Sequence, residues 1–188
     1  MEEKIQFIDP QNIDLTNFEL KGRILDIGGG GEGVIGQLKG KQVVAIDPKK
    51  TELEEAAPGD YLKIIMDAKD LQFLDDTFDT TTAFFTLMYI PLSDHQKVFE
   101  EIYRVTKKGG EFVIWDFKIP KRKSSDKDFY GLYLEVKIRE KNISTGYATK
   151  WKREQDLEYY LNLGKSIEFK ILESHTTNEV FQIRFQKE

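Results

Sequence analysis

Cysteine is absent from this 188-residue chain, which excludes disulfides, thiolate nucleophiles and cysteine-ligated metals together. Histidine is scarce. With only His95 and His175, a histidine-rich metal site is not expected, and no metal is assigned. No apolar run approaches the roughly 20 residues that a membrane span needs. The acidic Met1-Glu2-Glu3 start does not read as a signal peptide. The expectation is a cytoplasmic protein without a membrane partner. Basic charge is also in deficit. A net charge of −5 argues against a nucleic-acid partner, because phosphate binding shows as a basic surface. The one cationic run, with Lys118, Lys121, Arg122, Lys123 and Lys127, also carries Asp126. It reads as a solvated loop, with contact to an anionic ligand as the alternative.

What is present suits one soluble domain over 1–188. The chain is long enough for a sizeable core, and its 39% hydrophobic and 32% charged residues are ordinary for a globular protein. Short apolar runs at 23–27, 42–46, 63–66, 80–85 and 111–115, each bounded by Gly, Asp or Pro, read as buried strands. Their near-continuous hydrophobicity suits a parallel sheet covered on both faces.

Helical segments fall between several of them. One is 34–39, after the glycine run. Another, 51–57, opens with Thr51 and Glu54 at capping-box spacing. Ser93 and Gln96 repeat that spacing before the stripe Val98, Phe99, Ile102 and Val105, and Gly109 is expected to end this helix. The link 67–78 shows no helical period. Residues 167–173 and 180–186 alternate apolar and polar across 174–179, a hairpin signal. Between them and the fifth strand lies an excursion, 117–166, with a charged loop, a strand-like 132–138, the stretch 146–151 and a helix 153–163 closing at Gly164. The fold class is therefore α/β, doubly wound and mostly parallel, with an antiparallel C-terminal hairpin and a segment of about 118–166 inserted after strand 5.

The strongest local signal is Ile24-Leu25-Asp26-Ile27-Gly28-Gly29-Gly30-Gly31-Glu32-Gly33, a strand running through a glycine turn into a helix. Glycines allow close backbone approach to a ligand, and the following helix start presents free N–H groups. The spacing of Gly28, Gly30 and Gly33, with Asp47 further on, also satisfies a dinucleotide fingerprint. Asp26 weighs against it: a carboxylate before the first glycine opposes a pyrophosphate but suits a cationic amino group. Asp47, ending the second strand, reads as an acceptor for ribose hydroxyls. The alternative is a cap for the next helix, with Pro48 at its first position.

The series Leu25-Asp26-Ile27-Gly28-Gly29-Gly30, Asp47, Met66-Asp67-Ala68, Phe78-Asp79 and Val105-Thr106-Lys107-Lys108-Gly109-Gly110 resembles class I S-adenosylmethionine-dependent methyltransferases. It is most similar to the small-molecule branch that includes ubiquinone and menaquinone biosynthesis enzymes. The resemblance covers 21–117, about half of the chain. It implies a Rossmann-like seven-stranded sheet with an antiparallel last strand, S-adenosylmethionine as cofactor and a small-molecule acceptor. It also implies that Asp26, Gly28 and Gly30 receive the methionine end and ribose, and that Asp47 takes the ribose hydroxyls. Asp67 and the Ala68 N–H would meet the adenine, and Phe84 or Phe85 would line the methyl-donor region. Two departures stand out. Glu32 occupies a place where many relatives have glycine, and no histidine stands near Met88 and Tyr89.

Methyl transfer from a sulfonium needs alignment above all, and a base only where the acceptor must lose a proton. Candidates for that base are His95, Asp116 and Tyr89; the plainer expectations are an exposed first-turn residue for His95, a strand terminus for Asp116 and packing for Tyr89. The excursion, with Phe129, Tyr130, Tyr133, Tyr147 and Trp151, reads either as a lid over the acceptor or as added core. No Asn/Asp-Pro-Pro-Tyr motif follows the fourth strand, which disfavours methylation of nucleic-acid bases. The competing functions are a non-catalytic S-adenosylmethionine-binding module and a nicotinamide-dependent oxidoreductase. Oligomeric state is not legible at this level.

Overall fold

The computed structural model describes residues 4–122 and 126–188; Lys123 of the cationic run and the Met1-Glu2-Glu3 start lie outside them. The central sheet has seven strands: β3 (Ile24–Ile27), β4 (Val43–Asp47), β5 (Leu62–Ile65), β6 (Phe78–Phe84), β7 (Thr106–Phe117), β10 (Phe169–Thr177) and β11 (Val180–Lys187), in the order β10-β11-β7-β6-β3-β4-β5. β3 pairs in parallel with β4 and β6, and β6 with β7. β11 runs antiparallel between β7 and β10. This is the doubly wound, mostly parallel arrangement expected from the alternating strand and helix pattern, with the seven strands and antiparallel last strand that the family resemblance implies.

Helices α3 (Leu92–Val105) and α4 (Leu157–Ser166) cover one face. The stripe Val98, Phe99, Ile102 and Val105 is fully buried there with Leu25, Phe112 and Phe185. The opposite face carries α1 (Val34–Lys39) and, unexpectedly, a second sheet. Its spine is β8 (Phe129–Ile138), paired antiparallel to β9 (Lys141–Lys150). The other edge of β8 takes two short strands in parallel, β1 (Ile5–Phe7) and β2 (Gln11–Asp14). Leu132, Leu134, Val136 and Ile138 of β8 pack with Ile24, Leu38, Trp115 and Phe117, so the excursion contributes core to the main body. Among the described residues no helix is long and apolar enough to cross a membrane.

Several local expectations need correction. Neither capping box forms: α2 (Lys50–Glu55) and α3 begin after Lys49 and Pro91 without a side-chain cap bond. Gly109 does not end α3, which stops at Val105 and passes directly into β7. Gly109, at φ 75°, instead lies where the pairing of β6 with β7 jumps from Thr106 to Glu111, a bulge that needs left-handed backbone. Helix α4 starts four residues later than expected, where Asp156 accepts the Tyr159 N–H at 2.9 Å, and Gly164 lies inside it rather than at its end. The C-terminal link is shorter too, because Thr177 already pairs with Val180.

Candidate functional site

The carboxyl ends of β3, β4 and β6 open into a cavity of about 620 Å³, the position at which open α/β sheets bind ligands. Asp26, Gly28, Gly30, Asp47, Asp67, Ala68, Phe84 and Phe85, singled out in the sequence, all line this one cavity. The glycine turn is shaped by both conformation and crowding. Gly28 has φ 66°, and a Cβ there would lie 2.3 Å from Thr86 Cγ2. Gly31 and Gly33 are both left-handed, so the turn is extended around Glu32 rather than lost.

Asp26 is the most unusual group. It is buried at the end of β3, and its Oδ1 accepts from the Thr82 hydroxyl at 2.7 Å. Burial pushes its pKa up to about 7, partly opposed by that hydrogen bond. A buried carboxylate supported by a single hydroxyl is complementary to a cation. Asp47, half-buried at the end of β4, accepts the Lys49 N–H at 2.8 Å in a turn before α2. Burial also raises its pKa. Asp67 follows β5, with its Oδ1 accepting the Lys69 N–H at 2.9 Å and its Oδ2 3.7 Å from the Lys69 ammonium.

Of the three base candidates, only Tyr89 lines the cavity. Half of its surface is exposed, and burial of the remainder pushes its pKa up to about 12; like an ordinary tyrosine it is a phenol, not a phenolate, at neutral pH. His95 is buried, a correction to the exposed position expected of it. Its Nε2 faces two acceptors, Leu87 O at 3.1 Å and Ile90 O at 3.0 Å, which assigns the proton to that nitrogen and leaves Nδ1 to accept from Tyr159 at 3.0 Å. Burial, with the Arg153 charge, lowers its pKa to about 4. Arg153 donates to the same two carbonyls, so this pair holds the Leu87–Tyr89 turn from behind. Asp116 is fully buried outside the cavity lining, its Oδ1 accepting from the Phe117 N–H and from Gln155 Nε2 at 2.8 Å. Burial pushes its pKa up to about 7.

Two features of the cavity were not assigned as site residues from the sequence, although Tyr147 was among the aromatics read as a lid over the acceptor or as added core. Gly146 and Tyr147 of β9 form part of its wall. Glu32 reaches across to the same strand, accepting from the hydroxyls of Thr145 and, at 3.2 Å, Tyr147. The signal was present in Glu32 as the non-glycine of the turn, but its partner strand could not be read. Lys118, Lys121 and Arg122 do not line the cavity; Arg122 lies 3.1 Å from Asp128.

Comparison with known proteins gives a consistent picture. Residues 25–114 match the methyltransferase domain family. Over 70 residues the chain is 43% identical to the sterol 4-C-methyltransferase strm-1 of Caenorhabditis elegans, covering 37% of this chain and 20% of that protein. It is 33% identical over 119 residues to a demethylmenaquinone methyltransferase of Mycobacterium sp. strain KMS, covering 62% and 49%. The chain thus spans about half, or less, of the length of these relatives. An S-adenosylmethionine-dependent methyltransferase of Methanosarcina mazei superposes with a TM-score of 0.66 at 18% identity, covering 91% of this chain and 95% of that one. The PH0226 protein of Pyrococcus horikoshii OT3 gives 0.65 at 17% identity, with 91% and 85% coverage. At these identities the structural likeness speaks for the fold.

Proposed function

On the premise that this chain belongs to the class I S-adenosylmethionine-dependent methyltransferases, we propose that it transfers a methyl group from S-adenosylmethionine to a small-molecule acceptor. The observation that carries the reading is the meeting of Asp26, Asp47 and Asp67, from three successive strand ends, on one cavity behind a glycine turn. The residues fit the cofactor. Asp26 offers a buried carboxylate to the methionine amino group. Asp47 offers a carboxylate to the ribose hydroxyls, a pairing strengthened by its charge. Asp67 and the Ala68 N–H serve the adenine, and the Phe84 and Phe85 rings line the remaining wall. When bound, the cofactor supplies an already activated methyl group, so the protein contributes orientation and a shaped electrostatic wall rather than activation.

The acceptor stands between this lining and β9. Tyr147, backed by the buried Phe85, and Tyr89 give that side apolar faces, which exclude water and align the nucleophile. His95 and Arg153 act as positioning residues: by holding the carbonyls of Leu87 and Ile90 they fix the turn that carries Tyr89.

The reading is tested by calorimetry with S-adenosylmethionine, S-adenosylhomocysteine and NADH. One site per chain for the first two, and no heat from NADH, is expected. Binding of NADH in place of them overturns the reading and favours an oxidoreductase. Binding without turnover across a broad acceptor screen favours a non-catalytic module.

A further inference from the structure

The wall of the cavity formed with β9 carries a charge that the cofactor reading leaves unused. Glu32 turns away from the strand-end carboxylates toward β9, where its two oxygens accept from Thr145 and Tyr147 hydroxyls. Hydroxyls solvate a carboxylate but do not neutralise it. The cations lining the cavity are engaged elsewhere. Lys49 lies 3.5 Å from Glu52, and Lys69 lies 3.0 Å from Asp94 and 3.7 Å from Asp67. No lysine or arginine among the described residues forms an ion pair with Glu32. Asp26, assigned to the cofactor's amino group, faces Thr82 of β6 instead.

Aromatic rings line the same cavity as this carboxylate. Tyr147 stacks on Phe85 with centroids 5.0 Å apart and planes 9° from parallel, and Phe84 meets Phe85 edge-on at 5.0 Å. Tyr89 adds an exposed ring to the same cavity. A carboxylate with no ion-pair partner among the described residues, in a cavity lined by aromatic rings, complements an organic ammonium ion by charge and by cation–π attraction. It repels a carboxylate or phosphate.

Resting on the methyl-transfer reading, we propose that this wall is the acceptor subsite and that the acceptor is an organic amine, bound as its ammonium ion by Glu32 and the rings of Tyr147 and Tyr89, with the buried Phe85 backing Tyr147. Glu32 then has a second task, since a nitrogen can accept a methyl group only after losing a proton. The amine gives up one proton, to the Glu32 carboxylate and then to water, and gains one carbon–nitrogen bond. The electron pair of the broken carbon–sulfur bond stays with the departing thioether.

The test is a binding measurement on the protein saturated with S-adenosylhomocysteine. Ethanolamine, phenethylamine and tryptamine are titrated calorimetrically, with hydrocinnamate and phenethyl alcohol as anionic and neutral counterparts. Saturable binding of at least one amine is expected, with neither counterpart matching it. Glu32→Gln should weaken that amine by about tenfold or more beyond any change in S-adenosylhomocysteine affinity. Tyr147→Phe, which keeps the ring and removes one hold on Glu32, should weaken it less, and serves if Glu32→Gln folds poorly. Amine binding that survives loss of the charge, equal binding of a counterpart, or no amine binding at all overturns the proposal. A protein that never binds S-adenosylhomocysteine overturns the methyl-transfer reading and this one with it.

Discussion

Phe85 and Tyr147 stack face to face although they belong to different sheets, one just after β6 of the central sheet and the other on β9 of the second. Phe85 sits in left-handed backbone at φ 48°, and its N–H donates to Trp115 O at 2.8 Å. A phenylalanine in that region carries strain of about 1–3 kcal/mol, sustained here by stacking and a strand-edge hydrogen bond. The second sheet is thereby fixed against the main sheet where the cavity opens.

Asp47→Ala should weaken S-adenosylhomocysteine binding by about 1–3 kcal/mol through loss of charge-assisted hydrogen bonds. The fold should survive, since the side chain supports only the Lys49 N–H at a strand end. Calorimetry on the folded variant checks this; unchanged affinity would reduce Asp47 to a turn residue.

Cofactor affinity should depend on pH through Asp26. Burial raises its pKa to about 7, so in the free protein the group favours folding below its ordinary range and loses that contribution as pH rises through about 7. A bound ammonium group reverses the balance by favouring the carboxylate. Affinity for S-adenosylmethionine should therefore climb from about pH 6 to about pH 8, with protons released on binding at the acid end. Titration in two buffers of different ionisation enthalpy measures that release. Asp26→Asn should abolish it and flatten the profile.

Arg104 clamps the link that carries Asp67 and Ala68. Its guanidinium donates to Leu71 O at 2.7 Å, Phe73 O at 2.8 Å and both oxygens of Glu101. Arg104→Lys keeps the charge but loses the planar fork, and should cost about 1–3 kcal/mol in urea unfolding near neutral pH. The Arg104 hydrogen bonds hold Glu101 down at about 2. Stability from Glu101 is thus complete above its ordinary carboxylate range and lost as pH falls toward about 2. The gap between variant and wild type should narrow in acid.

Gly164→Ala should destabilise the protein although alanine favours helices by about 1 kcal/mol. A Cβ at this position of α4 would lie 2.4 Å from Phe185 Cζ, and overpacking of this kind costs about 1–3 kcal/mol. A lower melting temperature, partly restored by adding Phe185→Leu, is the expected result.

Much of the fold and the strand-end lining of the cavity was legible before any tertiary contact was known. The apolar runs that became β3, β4, β6 and β7, and the stripe of α3, are local periodicities that only a buried strand or a one-sided helix satisfies. Asp26, the glycine turn and Asp47 were legible because they form contiguous strand-end motifs. Helix ends were less so: Gly109 and Gly164 resemble terminating glycines, yet one makes a bulge and the other a close packing contact. The second sheet left no local trace at its N-terminal part. β1 and β2 have three and four residues and exist because Ile5 can pair with Phe129 and Gln11 with Leu134, partners far away along the chain. The same holds for His95, whose burial depends on Tyr159 and on carbonyls of a neighbouring turn. Glu32 meets Tyr147 only after two sheets have packed together. Local pattern determined the central parallel strands, the main helices and the carboxylates that end those strands; long-range pairing decided the second sheet and what closes the cavity, because the energy of those contacts exists only between segments that the chain itself holds apart.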